Sequence, residues 1–156
     1  MPKILEQGSS AVAFTLEADG GGKVALKDFA GKPVVLYFYP KDDTSGCTKE
    51  ALDFTASTSA FKKLGATVIG VSKDSVTAHD KFKKKHKLNL ILASDPDGKV
   101  IEAYGSWVEK SMYGRKYMGI DRSTFLIDGK GKIVKIWRKV RVPGHVEEVL
   151  SALRVS

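Results

Sequence analysis

The run Val34-Val35-Leu36-Tyr37-Phe38-Tyr39 constrains this chain more than any other stretch. It shows no polar alternation, so a strand built from it has to be buried on both faces. That demands layers above and below, which means helices packed on a sheet. The run stops at Pro40, which fixes φ and offers no backbone donor. A polar turn, Lys41-Asp42-Asp43-Thr44-Ser45-Gly46, leads to Cys47, and Thr48-Lys49-Glu50-Ala51-Leu52-Asp53-Phe54 reads as helix. The only cysteine therefore stands where a strand hands over to a helix.

The flanking segments supply the layers. Phe14–Glu17 and Lys23–Leu26 read as short strands around Asp19-Gly20-Gly21-Gly22, and glycines suit a tight hairpin. Neither a P-loop Lys-Ser/Thr pair nor a G-x-G-x-x-G pattern accompanies those glycines, so they are read as a turn. Ala51, Phe54, Phe61 and Leu64 recur near helical spacing and predict one helix over Thr48–Leu64, stopped by Gly65. Ala66–Ser72 is a second buried strand. A helix capped at Asp74-Ser75 runs through Val76, His79, Phe82 and His86. Leu90–Ala93 is a third strand, and Lys99–Tyr104 a short helix. Trp107–Met118, mixed polar and aromatic, carries no period that assigns it. Ser123–Ile127 and Ile133–Trp137 form a hairpin, and Gly144–Leu153 a closing helix with Val146, Val149, Leu150 and Leu153 on one face. The order predicts a single α/β domain over 1–156, with an N-terminal β-hairpin and a mixed central sheet covered by helices on both faces.

No apolar run approaches the roughly 20 residues of a membrane helix, and Met1–Gly8 lacks the apolar stretch of a signal peptide. One cysteine cannot form an intrachain disulfide, so a reducing compartment is expected, read as the cytoplasm. The net charge of +8 invites a nucleic-acid reading, centred on Lys81, Lys83, Lys84, Lys85 and Lys87 with Lys135, Arg138, Lys139 and Arg141. No aromatic-basic stacking motif accompanies them, and a solvated helix face with a charged edge strand accounts for them better. His79, His86 and His145 are the only histidines and have no cysteine or carboxylate at ligand spacing, so no metal or cofactor is expected.

The chemistry centres on Cys47. A helix N-terminus presents unpaired N–H groups and partial positive charge, and both favour a thiolate. A nearby cation can complete the activation of a nucleophilic thiol. Thr44 stands where a C-x-x-C oxidoreductase would carry its first cysteine, so a hydroxyl replaces the partner sulfur.

Pro40-x-x-x-Thr44-x-x-Cys47 resembles the active-site signature of the peroxiredoxins, and Tyr37 to Glu50 resembles their PrxQ, or bacterioferritin comigratory protein, branch. The likeness continues through Gly31–Leu36, Gly70–Ser75, Leu92–Asp95 and Gly119–Asp128. The resemblance implies a thioredoxin-like fold and a thiol-dependent peroxidase acting on hydrogen peroxide and organic hydroperoxides. By the same resemblance Cys47 is the peroxidatic nucleophile, and Thr44 and the Cys47 backbone N–H hold the peroxide oxygens. Arg122 stabilises the thiolate and the transition state. Pro40 shields the sulfur, Glu50 orients arginine around the pocket, and Gly46 and Tyr39 complete its wall.

The chain departs from that branch at informative places. Many members carry a resolving cysteine where Leu52 stands, and others carry it near Phe82-Lys83-Lys84. Neither is present here, which implies a 1-Cys cycle with an external thiol reductant, thioredoxin or glutathione with glutaredoxin. Ser45 replaces the usual proline, which loosens the turn, and Ala11-Val12-Ala13-Phe14 replaces Ala-Pro-Asp-Phe. The expected partners are a peroxide and that reductant, with no nucleic acid and no membrane, in a monomer or weak homodimer. A peroxide sensor or chaperone-like protein on the same fold is the alternative.

Overall fold

A computed structural model describes residues 5–155. The opening residues of Met1–Gly8, read above for a leader, lie outside that range. The Val34–Phe38 strand (β3) is buried at every position, as its composition requires. It lies at the heart of a seven-stranded mixed sheet. The other strands are Thr15–Ala18 (β1), Lys23–Ala25 (β2), Thr67–Ser72 (β4), Ile91–Ser94 (β5), Ser123–Ile127 (β8) and Ile133–Trp137 (β9), in the order β2-β1-β5-β4-β3-β8-β9. β3 runs parallel to β4 and antiparallel to β8. The β1–β2 hairpin, turning at the Asp19–Gly21 3-10 turn, joins the sheet through β5.

Alternate residues of β3 feed two cores. Val35 and Tyr37, with Tyr39 beyond the strand, pack with residues of helices Ser45–Ala56 (α1), Thr58–Lys63 (α2), Val76–His86 (α3) and His145–Val155 (α5). Val34, Leu36 and Phe38 pack on the opposite face, with Ile101 of helix Lys99–Ala103 (α4), Tyr104, Phe125 and Phe14. Helices therefore cover both faces, as expected. Each fully buried Val, Leu or Phe contributes about 1.5–3 kcal/mol relative to an exposed one, so this strand anchors the domain. The four apolar positions predicted for the last helix are all buried.

Two expectations change. The single helix over Thr48–Leu64 is two, broken at Ser57. The Thr58 hydroxyl donates back to Thr55 O at 2.8 Å, a local bond that competes with the helical ladder. Phe54 and Phe61 still face one core across the break, so their spacing reads as continuous. The unassigned stretch is an antiparallel hairpin of its own, Trp107–Met112 (β6) with Arg115–Ile120 (β7), outside the main sheet. No helix among the described residues is long and apolar enough to cross a membrane. Of the basic stripe on α3, Lys83 pairs with Asp19 and Lys85 with Asp43, each at 2.7 Å.

Candidate active site

The antiparallel pairing of β3 with β8 builds the site. Phe38 stands opposite Ser123, so the start of β8 lies beside the end of β3. Arg122, just before β8, is thereby delivered to where the chain leaves β3 for α1. Its backbone is held on both sides, by Val140 N donating to Arg122 O at 2.9 Å and by Asp121 N donating to Ser106 O at 2.7 Å.

Thr44 is the N-cap residue of α1 and Ser45 its first helical residue. A proline there would lack an N–H that the helix leaves unpaired in any case, so Ser45 fits without distortion. Thr44 O accepts Thr48 N at 2.8 Å, which leaves the N–H groups of the first turn, that of Cys47 among them, without helical partners. The Thr44 hydroxyl does not cap the helix. It donates to Lys41 O at 2.9 Å, so its lone pairs remain as acceptors.

Cys47 is 2% exposed. Arg122 Nη2 donates to its sulfur at 3.3 Å, and Nη1 donates to Glu50 Oε1 at 2.7 Å. One guanidinium thus bridges the thiol and a carboxyl one helical turn away. A Cβ at Gly46 would sit 3.2 Å from Arg122 Nη2, so glycine there gives the guanidinium its room. Burial works to lower the Arg122 pKa, but the charges of Glu50 and Cys47 outweigh it and hold it raised. Glu50 is wholly buried. Burial pushes its carboxyl up to about 7, against the opposing pull of Arg122. Its Oε2 has no hydrogen-bond partner among the described residues.

Pro40 is exposed just past β3, and Tyr39 is buried in the same core as Cys47, with its hydroxyl in a separate polar cluster. The Tyr39 hydroxyl donates to Asp42 Oδ1 at 2.5 Å, and His79 Nδ1 meets Asp42 Oδ2 at 2.7 Å. His79 Nε2 donates to Ala93 O at 2.9 Å, and Asp42 N donates to Asp74 Oδ2 at 2.8 Å. Burial acts to lower the His79 pKa, but the hydrogen bond and charge of Asp42 leave it raised. These bonds tie the loop before Cys47 to α3. Asp43, at a left-handed φ of 60°, adds Lys85 and His86 at 2.7 and 2.8 Å.

Three neighbours escaped the sequence reading. Tyr37 stacks on Phe54 at 4.8 Å in the Cys47 core, and a Cβ at Gly70 would strike its ring at 2.7 Å. Burial first, then the charges of Glu50 and Cys47, holds its phenol neutral. His145, beside Thr124 at 2.7 Å, is pushed down to about 4 by burial, against the opposing charge of Glu148 and with Arg122 adding a smaller push. It therefore packs uncharged against Phe54 and Trp137. The Asp42–His79 pair is the third. Only the alternation of Tyr37 and Tyr39 along β3, which puts both on the helix-covered face, was available as a signal. Among the described residues, no group of three or more His, Cys, Asp or Glu side chains is placed to hold a metal ion.

Residues 7–136 match the AhpC/TSA family. Over 149 residues the chain is 52% identical to a putative peroxiredoxin bcp of Coxiella burnetii, covering 96% of this chain and 99% of that one. It is 50% identical to peroxiredoxin Bcp of Bacillus subtilis, covering 96% of each. Among solved structures it is similar to a Cys-to-Ser variant of Xylella fastidiosa PrxQ, with a TM-score of 0.93, 40% identity and 98% of each chain covered. It is also similar to the Xanthomonas campestris bacterioferritin comigratory protein, with a TM-score of 0.87, 46% identity, and 91% and 90% of the two chains covered.

Proposed function

The chain belongs to the AhpC/TSA family as a thioredoxin-like peroxiredoxin of the Bcp/PrxQ kind, a thiol-dependent peroxidase, and we propose that Cys47 is its peroxidatic nucleophile in a 1-Cys cycle. The observation that carries this reading is the Arg122 guanidinium 3.3 Å from the Cys47 sulfur at the open end of α1.

The Cys47 thiolate attacks the terminal oxygen of a peroxide. The Thr44 hydroxyl, its hydrogen committed to Lys41 O, accepts the peroxide O–H and orients it. The unpaired Cys47 N–H and Arg122 meet the charge that develops on the departing oxygen. The O–O bond breaks, sulfur becomes a sulfenic acid, and water or an alcohol leaves. Pro40 limits water at the sulfur. The Xanthomonas relative has alkyl peroxide reduction activity, which supports organic hydroperoxides beside hydrogen peroxide as substrates here.

No second cysteine is present to trap the sulfenic acid: of the two places read for one, the first holds Leu52, 39% exposed on α1, and the second is the Phe82-Lys83-Lys84 stretch of α3. An external thiol therefore returns Cys47 to its reduced form, either thioredoxin or glutathione with glutaredoxin. We place the protein in the cytoplasm, working as one domain in a monomer or weak homodimer. Peroxide consumption measured in parallel with each reductant tests the cycle. Turnover with at least one of them, lost in Cys47→Ser, is the expected result. A Cys47→Ser protein that still turns over would remove Cys47 from the reaction.

A further inference from the structure

We propose that Cys47 and Glu50 divide one proton across Arg122, so that Glu50 is neutral while Cys47 is the attacking thiolate and becomes a carboxylate once the sulfur is oxidised. This rests on the peroxidase reading of Cys47 and adds a positioning residue that stores the proton of the reaction.

The geometry carries it. Arg122 Nη2 reaches the sulfur at 3.3 Å and Nη1 reaches Glu50 Oε1 at 2.7 Å, so two acidic groups draw on one cation. Glu50 is fully buried and its Oε2 meets no donor among the described residues. An ionised oxygen left bare in such a place is costly, whereas a neutral carboxyl is much less so. Among the described residues, Arg122 is the one cation that acts on Glu50. Asp53, on α1, adds negative charge, and its own partner is Lys49 at 3.0 Å. Tyr37 on β3 stays a neutral phenol, and His145 on α5 a neutral imidazole. Burial accordingly pushes Glu50 up to about 7 even with Arg122 beside it.

The chemistry balances. The sulfur lone pair forms the sulfur–oxygen bond as the O–O bond breaks, and the O–O bonding pair leaves with the departing oxygen. The terminal oxygen keeps its hydrogen in the sulfenic acid. The departing oxygen needs one proton. Loss of the thiolate charge leaves Arg122 to Glu50 alone, and the Glu50 proton goes to that oxygen through solvent. When the external thiol regenerates the Cys47 thiol, its proton returns to Glu50.

Proton counting tests this. Reduced protein is mixed with one equivalent of hydrogen peroxide near pH 7 in weak buffer with an indicator dye. The wild type should take up well under one proton per sulfur oxidised. Glu50→Gln keeps an oxygen for Arg122 but holds no exchangeable carboxyl proton, and should take up close to one. Equal uptake by the two proteins would overturn the proposal. Should the variant not fold, carbon-13 NMR of glutamate carboxyls in the wild type decides: one carboxyl should pass from protonated to ionised on oxidation, and its being ionised throughout would overturn the proposal. A wild type that does not react with peroxide would instead sink the peroxidase reading.

Discussion

Asp42 and Glu50 are both buried carboxyls facing a basic side chain at 2.7 Å, yet their surroundings differ. Asp42 has both oxygens bonded, to Tyr39 and His79, and its partner His79 has both ring nitrogens bonded. Glu50 has one oxygen bonded and one bare, and its partner Arg122 turns a second nitrogen to a sulfur. A saturated network fixes a loop in one place. On the proposed mechanism, an unsaturated one leaves a guanidinium able to follow charge as it moves from sulfur to oxygen. The first would then hold the loop still while the second reacts.

The largest effect that would break this contrast is on stability. His79→Ala strands Asp42 as a buried charge and should cost about 3–5 kcal/mol in urea unfolding. A loss under about 1 kcal/mol would show that the network is not structural. Arg122→Ala should act on the other side of the comparison. It should slow peroxide attack by about 10²–10³-fold while costing less stability than His79→Ala, because a neutral Glu50 leaves no buried charge behind when its cation is gone. An unchanged rate would remove Arg122 from the mechanism.

Next comes pH. The folded Glu50 carboxyl lies near 7, above its ordinary 4.5, so the folded protein binds the proton more tightly than the unfolded chain. That contribution is fully present below about 4.5 and is lost as pH rises through about 7. Glu50→Gln should therefore gain about 3 kcal/mol on the wild type across this window, read from paired urea titrations. A constant difference between the two proteins would refute the buried, proton-holding carboxyl. The smallest effect belongs to Thr44→Val, which removes the acceptor lone pairs. It should slow peroxide attack by about five- to tenfold, near 1 kcal/mol, with no more than about 1 kcal/mol lost in unfolding from the bond to Lys41 O.

The strand and the thiol were legible because their signals are local. Val34–Phe38 has to be buried on both faces, and Cys47 follows a strand-ending proline and a turn. The β6–β7 hairpin was not legible. Its outer residues Met112, Tyr113, Tyr117 and Met118 are exposed, so no alternation of apolar and polar marks its faces. The break at Ser57 was hidden because α1 and α2 present Phe54 and Phe61 to the same core. Arg122 lies 75 residues from Cys47 and Asp42 lies 37 from His79. Such contacts depend on strand register, which no periodicity reports, and only family resemblance singled out Arg122 beforehand.

The most direct test of the account is a single reaction of reduced protein with hydrogen peroxide, stopped at intervals and read by mass spectrometry. The account predicts one added oxygen at Cys47, formed orders of magnitude faster than with free cysteine and slowed by Arg122→Ala. Excess peroxide should then carry Cys47 on to sulfinic acid, since no local thiol traps the first product. Oxidation of Cys47 no faster than free cysteine would contradict it.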